Sequence, residues 1–157
     1  MPPVRRRILQ AILYEVVAIV VVGPALGLLF DKPMASSLGL AALLSTIALT
    51  WNYVFNAIFE GWESRQASRT RTLSRRILHG TGFEGGLVFL LVPVMAWGLD
   101  ISLLAAFLAN LGLLVFFFLY AIAFTWAFDA IVGPPASAIQ RRPPDPVDRA
   151  SKPERQP

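Results

Sequence analysis

The sequence predicts an all-α membrane protein whose four transmembrane helices form two parallel-repeat helical hairpins. Three observations carry that expectation: four long apolar runs, an internal duplication kept in one register, and basic residues gathered at alternate ends of the runs. The runs cover residues 8–30, 36–59, 77–99 and 103–132. At about 1.5 Å of rise per residue, each crosses a hydrocarbon core of ~30 Å. With 55% hydrophobic residues and a mean hydropathy of +0.59, the composition is that of a lipid-embedded chain. Lipid offers backbone amides no hydrogen-bond partner, so such runs are helices or strands of a closed barrel. The two-residue alternation of barrel strands is missing, which leaves a helical bundle.

Each element has its own signals. The first run follows Arg5, Arg6 and Arg7, the flank of a secretory signal. It is too long for a signal core, carries Glu15 and lacks a small-residue cleavage site, so it reads as a retained helix. The second run ends in a polar stripe, Asn52, Asn56 and Glu60, at i, i+4, i+8. The third opens on Arg75 and Arg76 and carries His79 and Glu84, and the fourth ends at Asp129. From Gly133 onward seven of the twelve prolines fall among scattered charges, the composition of a disordered tail. The expected units are a first repeat over 1–68, a second over 69–132 and the tail over 133–157.

The duplication sits at a constant offset of 69 residues. Arg6, Arg7, Ile8, Leu9 and Glu15 recur as Arg75, Arg76, Ile77, Leu78 and Glu84. Without a gap, the same offset pairs Pro24 with Pro93, Asp31 with Asp100, Trp51 with Tyr120, Phe55 with Phe124, Phe59 with Phe128 and Glu60 with Asp129. Each repeat contains two spans, so both copies enter the membrane from the same side and are related by an axis along its normal. A lone hairpin leaves one face unburied. Two hairpins should therefore pack together, with Gly82 and Gly86 permitting close approach.

Thirteen of the fourteen Lys and Arg residues lie before run one, between runs two and three, or after run four, and only Lys32 lies on the other side. The positive-inside rule then places both termini and the middle loop in the cytoplasm, with the turns near Asp31 and Asp100 outside. A pI of about 10.1 raises nucleic acid as a partner. These arginines flank spans, however, so anionic lipid headgroups are the nearer partners and no nucleic-acid binding is expected. There is no cysteine and a single histidine, so neither disulfides nor a Cys/His metal site can form and no cofactor is expected.

Glu15 lies eight residues past Arg7, about 12 Å into the membrane, and Glu84 lies at the same depth. A carboxyl group there is protonated, paired, or open to an aqueous cavity, and a group of that kind can switch charge. One reading is proton coupling, in which the carboxylate holds either H⁺ or a cationic substrate. The other is a structural glutamate held by a neighbouring helix. Asn52 is placed to hydrogen bond Glu15 across the first hairpin, as substrate contact or as interhelical glue. The second repeat replaces Asn52 and Asn56 with Ala121 and Thr125, so Glu15 is expected to be the principal exchange site and Glu84 auxiliary. Beside the polar stripes run Trp51, Phe55, Phe59 and Tyr120, Phe124, Phe128, either as rings for cation–π capture of an organic cation or as packing. Glu60, Asp129 and His79 sit at the membrane edge, in gating or interfacial positions.

Residues 7–15 (RILQAILYE), 51–60 (WNYVFNAIFE), 76–84 (RILHGTGFE) and 120–129 (YAIAFTWAFD) resemble the four signature motifs of the proteobacterial antimicrobial compound efflux (PACE) family, built from two bacterial transmembrane pair domains. The resemblance spans roughly residues 5–130. It implies a proton-driven inner-membrane exporter of biocides such as chlorhexidine, acriflavine or quaternary ammonium compounds, with short-chain diamines as native cargo. Glu15 matches the glutamate that the family ties to proton coupling, and Trp51, Asn52, Asn56 and Glu84 also match the pattern. Gln10 stands where the first motif commonly has histidine. A small oligomer such as a homodimer is expected, because four helices leave limited room for a cavity. The rivals are an exporter like those of the small multidrug resistance group and a non-transporting scaffold. An enzyme is disfavoured by the lack of a nucleophile–base pair.

Overall fold

The computed structural model describes residues 3–66 and 72–133. The proline-rich tail lies outside the described residues. Four helices follow in order: α1 (Pro3–Leu29), α2 (Met34–Ser64), α3 (Leu73–Leu99) and α4 (Leu103–Val132). All four are long and apolar enough to cross a membrane, with mean hydropathy between 1.5 and 2.3. They overrun the apolar runs at the arginine-rich end, α1 starting five residues before Ile8 and α2 continuing five past Phe59. Hydropathy marks where lipid ends. Intrahelical hydrogen bonding continues into the headgroup zone until a cap stops it.

Helix α1 packs on α2, α2 on α3 and α3 on α4. The ring is closed by α4 returning to α1, where Arg6 pairs with Asp129 and donates to the Gly133 carbonyl at 3.0 Å. Arg6 also lies over the Phe128 ring, 5.2 Å from its centroid. The two ends of the bundle thus differ: one carries the two described ends of the chain, the end of α2 and the start of α3, the other the two tight turns. We call them the terminal end and the turn end.

The turns repeat each other to the residue. Asp31 and Asp100 both take left-handed backbone, φ 50° and 52°, a conformation a short polar side chain tolerates better than most. Lys32 then donates to the Gly27 carbonyl at 2.9 Å, and Ile101 to the Ala96 carbonyl at 3.0 Å, again 69 residues apart. The helix starts beyond them diverge. Ser102 caps α4 by accepting from the Ala105 amide. Pro33 stands in its place before α2, and Ser36 and Ser37 bond back to the Pro33 carbonyl instead.

The apolar core is gathered at the turn end, where Val22, Leu26, Leu40, Leu44, Leu91, Met95, Leu99 and Ala106 interlock. Met95 and Ala106 are fully buried. Large side chains such as Ile12, Phe89, Trp97 and Trp126 face outward, as lipid-facing residues should. Packing loosens toward the terminal end, and Glu15, Asn52, Asn56, His79 and Glu84 lie on that side of the core.

Candidate functional site

Below the apolar core, the four helices enclose a cavity of ≈ 380 Å³ whose polar lining is Glu15, Ser45, Asn52, Glu84 and Asn110. Both glutamates therefore face one space, at the equal depth on α1 and α3 that the duplication gives them. The aromatic rings on its wall are Tyr14, Phe83 and Phe117.

The two carboxylates have different surroundings. Ser45 Oγ donates to Glu15 Oε2. In the second repeat the residue 69 positions after Ser45 is Leu114, which has no donor, and no described residue hydrogen bonds Glu84. The expected bond between Glu15 and Asn52 is not formed. Asn52 is engaged instead along its own helix, where Asn56 Nδ2 donates to its side-chain oxygen at 2.6 Å and its backbone carbonyl at 2.7 Å. The i+4 spacing on one helix face brings the two amides together at no conformational cost. His79 Nε2 lies 3.0 Å from Asn56 Oδ1 and extends the array to α3.

Of the residues proposed for proton coupling, both Glu15 and Glu84 line the cavity; of those proposed for binding, Glu15 and Asn52 do, whereas Trp51, Phe55, Asn56 and Tyr120 do not. The aromatic stripes are turned onto the opposite repeat. Trp51 Nε1 donates to the Phe83 carbonyl at 2.9 Å, and Tyr120 Oη donates to the Tyr14 carbonyl at 2.8 Å. Donors and acceptors are each 69 residues apart, so the pair is one contact used twice around the bundle axis. Each acceptor carbonyl belongs to the residue just before a cavity glutamate. The ring contacts obey the same symmetry: Phe55 meets Phe83 at 5.7 Å and Phe124 meets Tyr14 at 5.2 Å, both edge to face. Shape complementarity requires the small residues opposite. A Cβ at Gly82 would come within 3.2 Å of the Phe55 ring, and one at Gly86 would lie inside the Trp51 indole.

Tyr120→Phe removes one of these two crossing bonds while keeping the ring. An interhelical hydrogen bond in a membrane is worth about 1 kcal/mol, so the variant's thermal midpoint in detergent should fall by a few degrees with helix content unchanged. An unchanged midpoint would mean that ring packing alone closes α4 on α1.

At the edge of the bundle, Asp129 is taken by Arg6, while Glu60 is exposed. His79 is wedged against Phe55 and Phe59 at 5.3 and 4.7 Å. Of the five polar lining residues, two escaped the reading of the sequence, Ser45 and Asn110. Ser45 gives no periodic signal. Asn110 is the one amide in a run of apolar residues, and that costly placement was the available clue.

The family described as chlorhexidine efflux transporter matches the chain twice, over residues 2–65 and 71–134. A short-chain diamines transporter of Vibrio parahaemolyticus is 40% identical over 126 residues, covering 80% of this chain and 89% of the relative. Proteins of the same description from Acinetobacter baylyi and Acinetobacter baumannii are each 35% identical over 127 residues, covering 81% of this chain and 89% and 88% of theirs. No solved structure matches.

Proposed function

The chain belongs to the chlorhexidine efflux transporter family, and from that premise we propose that it exports short-chain diamines across the bacterial inner membrane in exchange for protons, with cationic biocides as further cargo. It is a multi-pass membrane transporter, not an enzyme. The observation that carries the finer reading is the presence of Glu15 and Glu84 on the wall of a single cavity reached by all four helices. A diamine has two ammonium groups, and two carboxylates in low-dielectric surroundings are the complementary pair. At ≈ 380 Å³ the space is at the small end for ligand sites, which suits a diamine of a few carbons better than a large biocide.

Exchange follows from competition. When Glu15 is ionised it holds the ammonium group, and when a proton arrives the electrostatic attraction is lost and the cargo leaves. Binding therefore tightens as pH rises and weakens in acid. The arginine distribution orients the terminal end toward the cytoplasm, so cargo enters beside the glutamates and leaves past the turn end.

The test uses inverted membrane vesicles energised with a pH gradient. Addition of 1,4-diaminobutane should dissipate the gradient in vesicles containing the protein and leave control vesicles unaffected. A gradient that survives every diamine and biocide tried would favour the scaffold reading instead.

A further inference from the structure

We propose that Asn110 is a cargo-binding residue, its amide oxygen accepting an ammonium N–H at the closed end of the cavity. This rests on the diamine-transport reading above and adds a second station to it. Asn110 is 4% exposed, and its side chain lines the cavity. Among the described residues, nothing hydrogen bonds its amide. It is thus unlike the other amides of the site, since Asn52 and Asn56 hold each other. An amide that served as interhelical glue would have a partner on another helix. One without a partner that faces a cavity is left available to a donor that enters it.

The position also has a built-in comparison. The residue 69 places earlier is Ala41, which is 4% exposed and lines the same cavity from α2. An apolar residue is therefore accommodated at that level of the bundle, and packing alone does not require an amide in α4.

Depth gives the station its place in the path. Asn110 lies seven residues from the turn end of α4, whereas Glu15 and Glu84 lie fourteen and fifteen residues from the turn ends of α1 and α3. At about 1.5 Å per residue, the amide is about 10 to 12 Å nearer the turn end than the carboxylates. Side chains lean toward the N-terminus of their own helix, which widens that separation. Immediately beyond it, Ala106, Met95 and Leu99 close the bundle. Cargo that has been displaced from the carboxylates by protons meets Asn110 next. A neutral acceptor suits that place, because it holds an ammonium group without the attraction that would prevent its release.

The experiment measures 1,4-diaminobutane binding by calorimetry on the full-length purified protein, alongside thermal unfolding. Asn110→Leu and Asn110→Ala are expected to bind about tenfold more weakly while unfolding at the same temperature as the parent or higher, since an unpartnered polar group has been removed. Asn110→Asp places an anionic acceptor at the same point and is expected to bind at least as tightly as the parent but to turn over more slowly. Affinities of the Leu and Ala variants within twofold of the parent would overturn the proposal. So would a loss of binding that tracks a loss of stability, which would mark Asn110 as structural. If the parent binds diamine and Glu15→Gln abolishes it while Asn110→Leu does not, the inference fails alone. If the parent binds no diamine, the transport reading fails and takes the inference with it.

Discussion

Glu15→Gln should weaken diamine binding at neutral pH by at least about thirtyfold while leaving the bundle folded. Truncating one member of a desolvated charge pair costs about 2 to 5 kcal/mol, and the lower bound already gives that factor. The substitution is nearly isosteric and keeps an acceptor oxygen for Ser45 Oγ, so the contact between α1 and α2 at this level survives. Glu84→Gln should have the smaller effect, because the second repeat has Leu114 and Ala121 where the first has Ser45 and Asn52. Calorimetric titration of the two variants against the parent compares them directly. A larger loss of affinity for Glu84→Gln than for Glu15→Gln would reverse the ranking of the two sites.

The second large effect is structural. Gly86→Val places a branched side chain where the Trp51 indole lies, and neither the ring nor the α3 backbone can yield without breaking the bond from Trp51 Nε1 to the Phe83 carbonyl. Overpacking of this kind costs about 3 kcal/mol, sufficient to lower the thermal midpoint by about 10 °C or to prevent assembly of the two hairpins. The duplication supplies its own control. The residue equivalent to Gly86 in the first repeat is Val17, and there the smaller Tyr120 occupies the place of Trp51. The double variant Trp51→Tyr with Gly86→Val therefore rebuilds in one half the pairing that exists in the other. It should recover most of the lost stability, and thermal unfolding of the two single variants and the double variant measures the coupling. Additive destabilisation would show that the two halves do not share this contact.

These expectations draw unequally on sequence and structure. The helices, their hairpin pairing and the parallel relation of the repeats were legible because hydropathy, helix length and a gapless offset all constrain the chain locally. The equal depth of Glu15 and Glu84 followed from the same offset. The partners of the polar groups were not legible. From the end of α2, Asn52 lies at the depth of Glu15, yet Asn56, one turn away on the same face, is the nearer partner and takes it. Glu15 turns to Ser45, two turns closer to the core. Likewise, the aromatic periodicity identified a stripe but not its direction, and the rings face the other repeat rather than the cavity.

By itself, then, the order of residues determined four membrane-crossing helices, two like-handed hairpins and two acidic groups at matching levels. Those properties arise from contacts with lipid and from neighbours along the helix, which any chain of this pattern would have. Only the closed bundle decided that both acids share one cavity, that each aromatic donor reaches across to the carbonyl before the other repeat's glutamate, and that Asn110 has no hydrogen-bond partner among the described residues. These depend on how each helix is rotated about its axis when it meets its neighbours. That rotation is set by the fit of side chains such as Trp51 over Gly86, across distances in sequence that no local pattern spans.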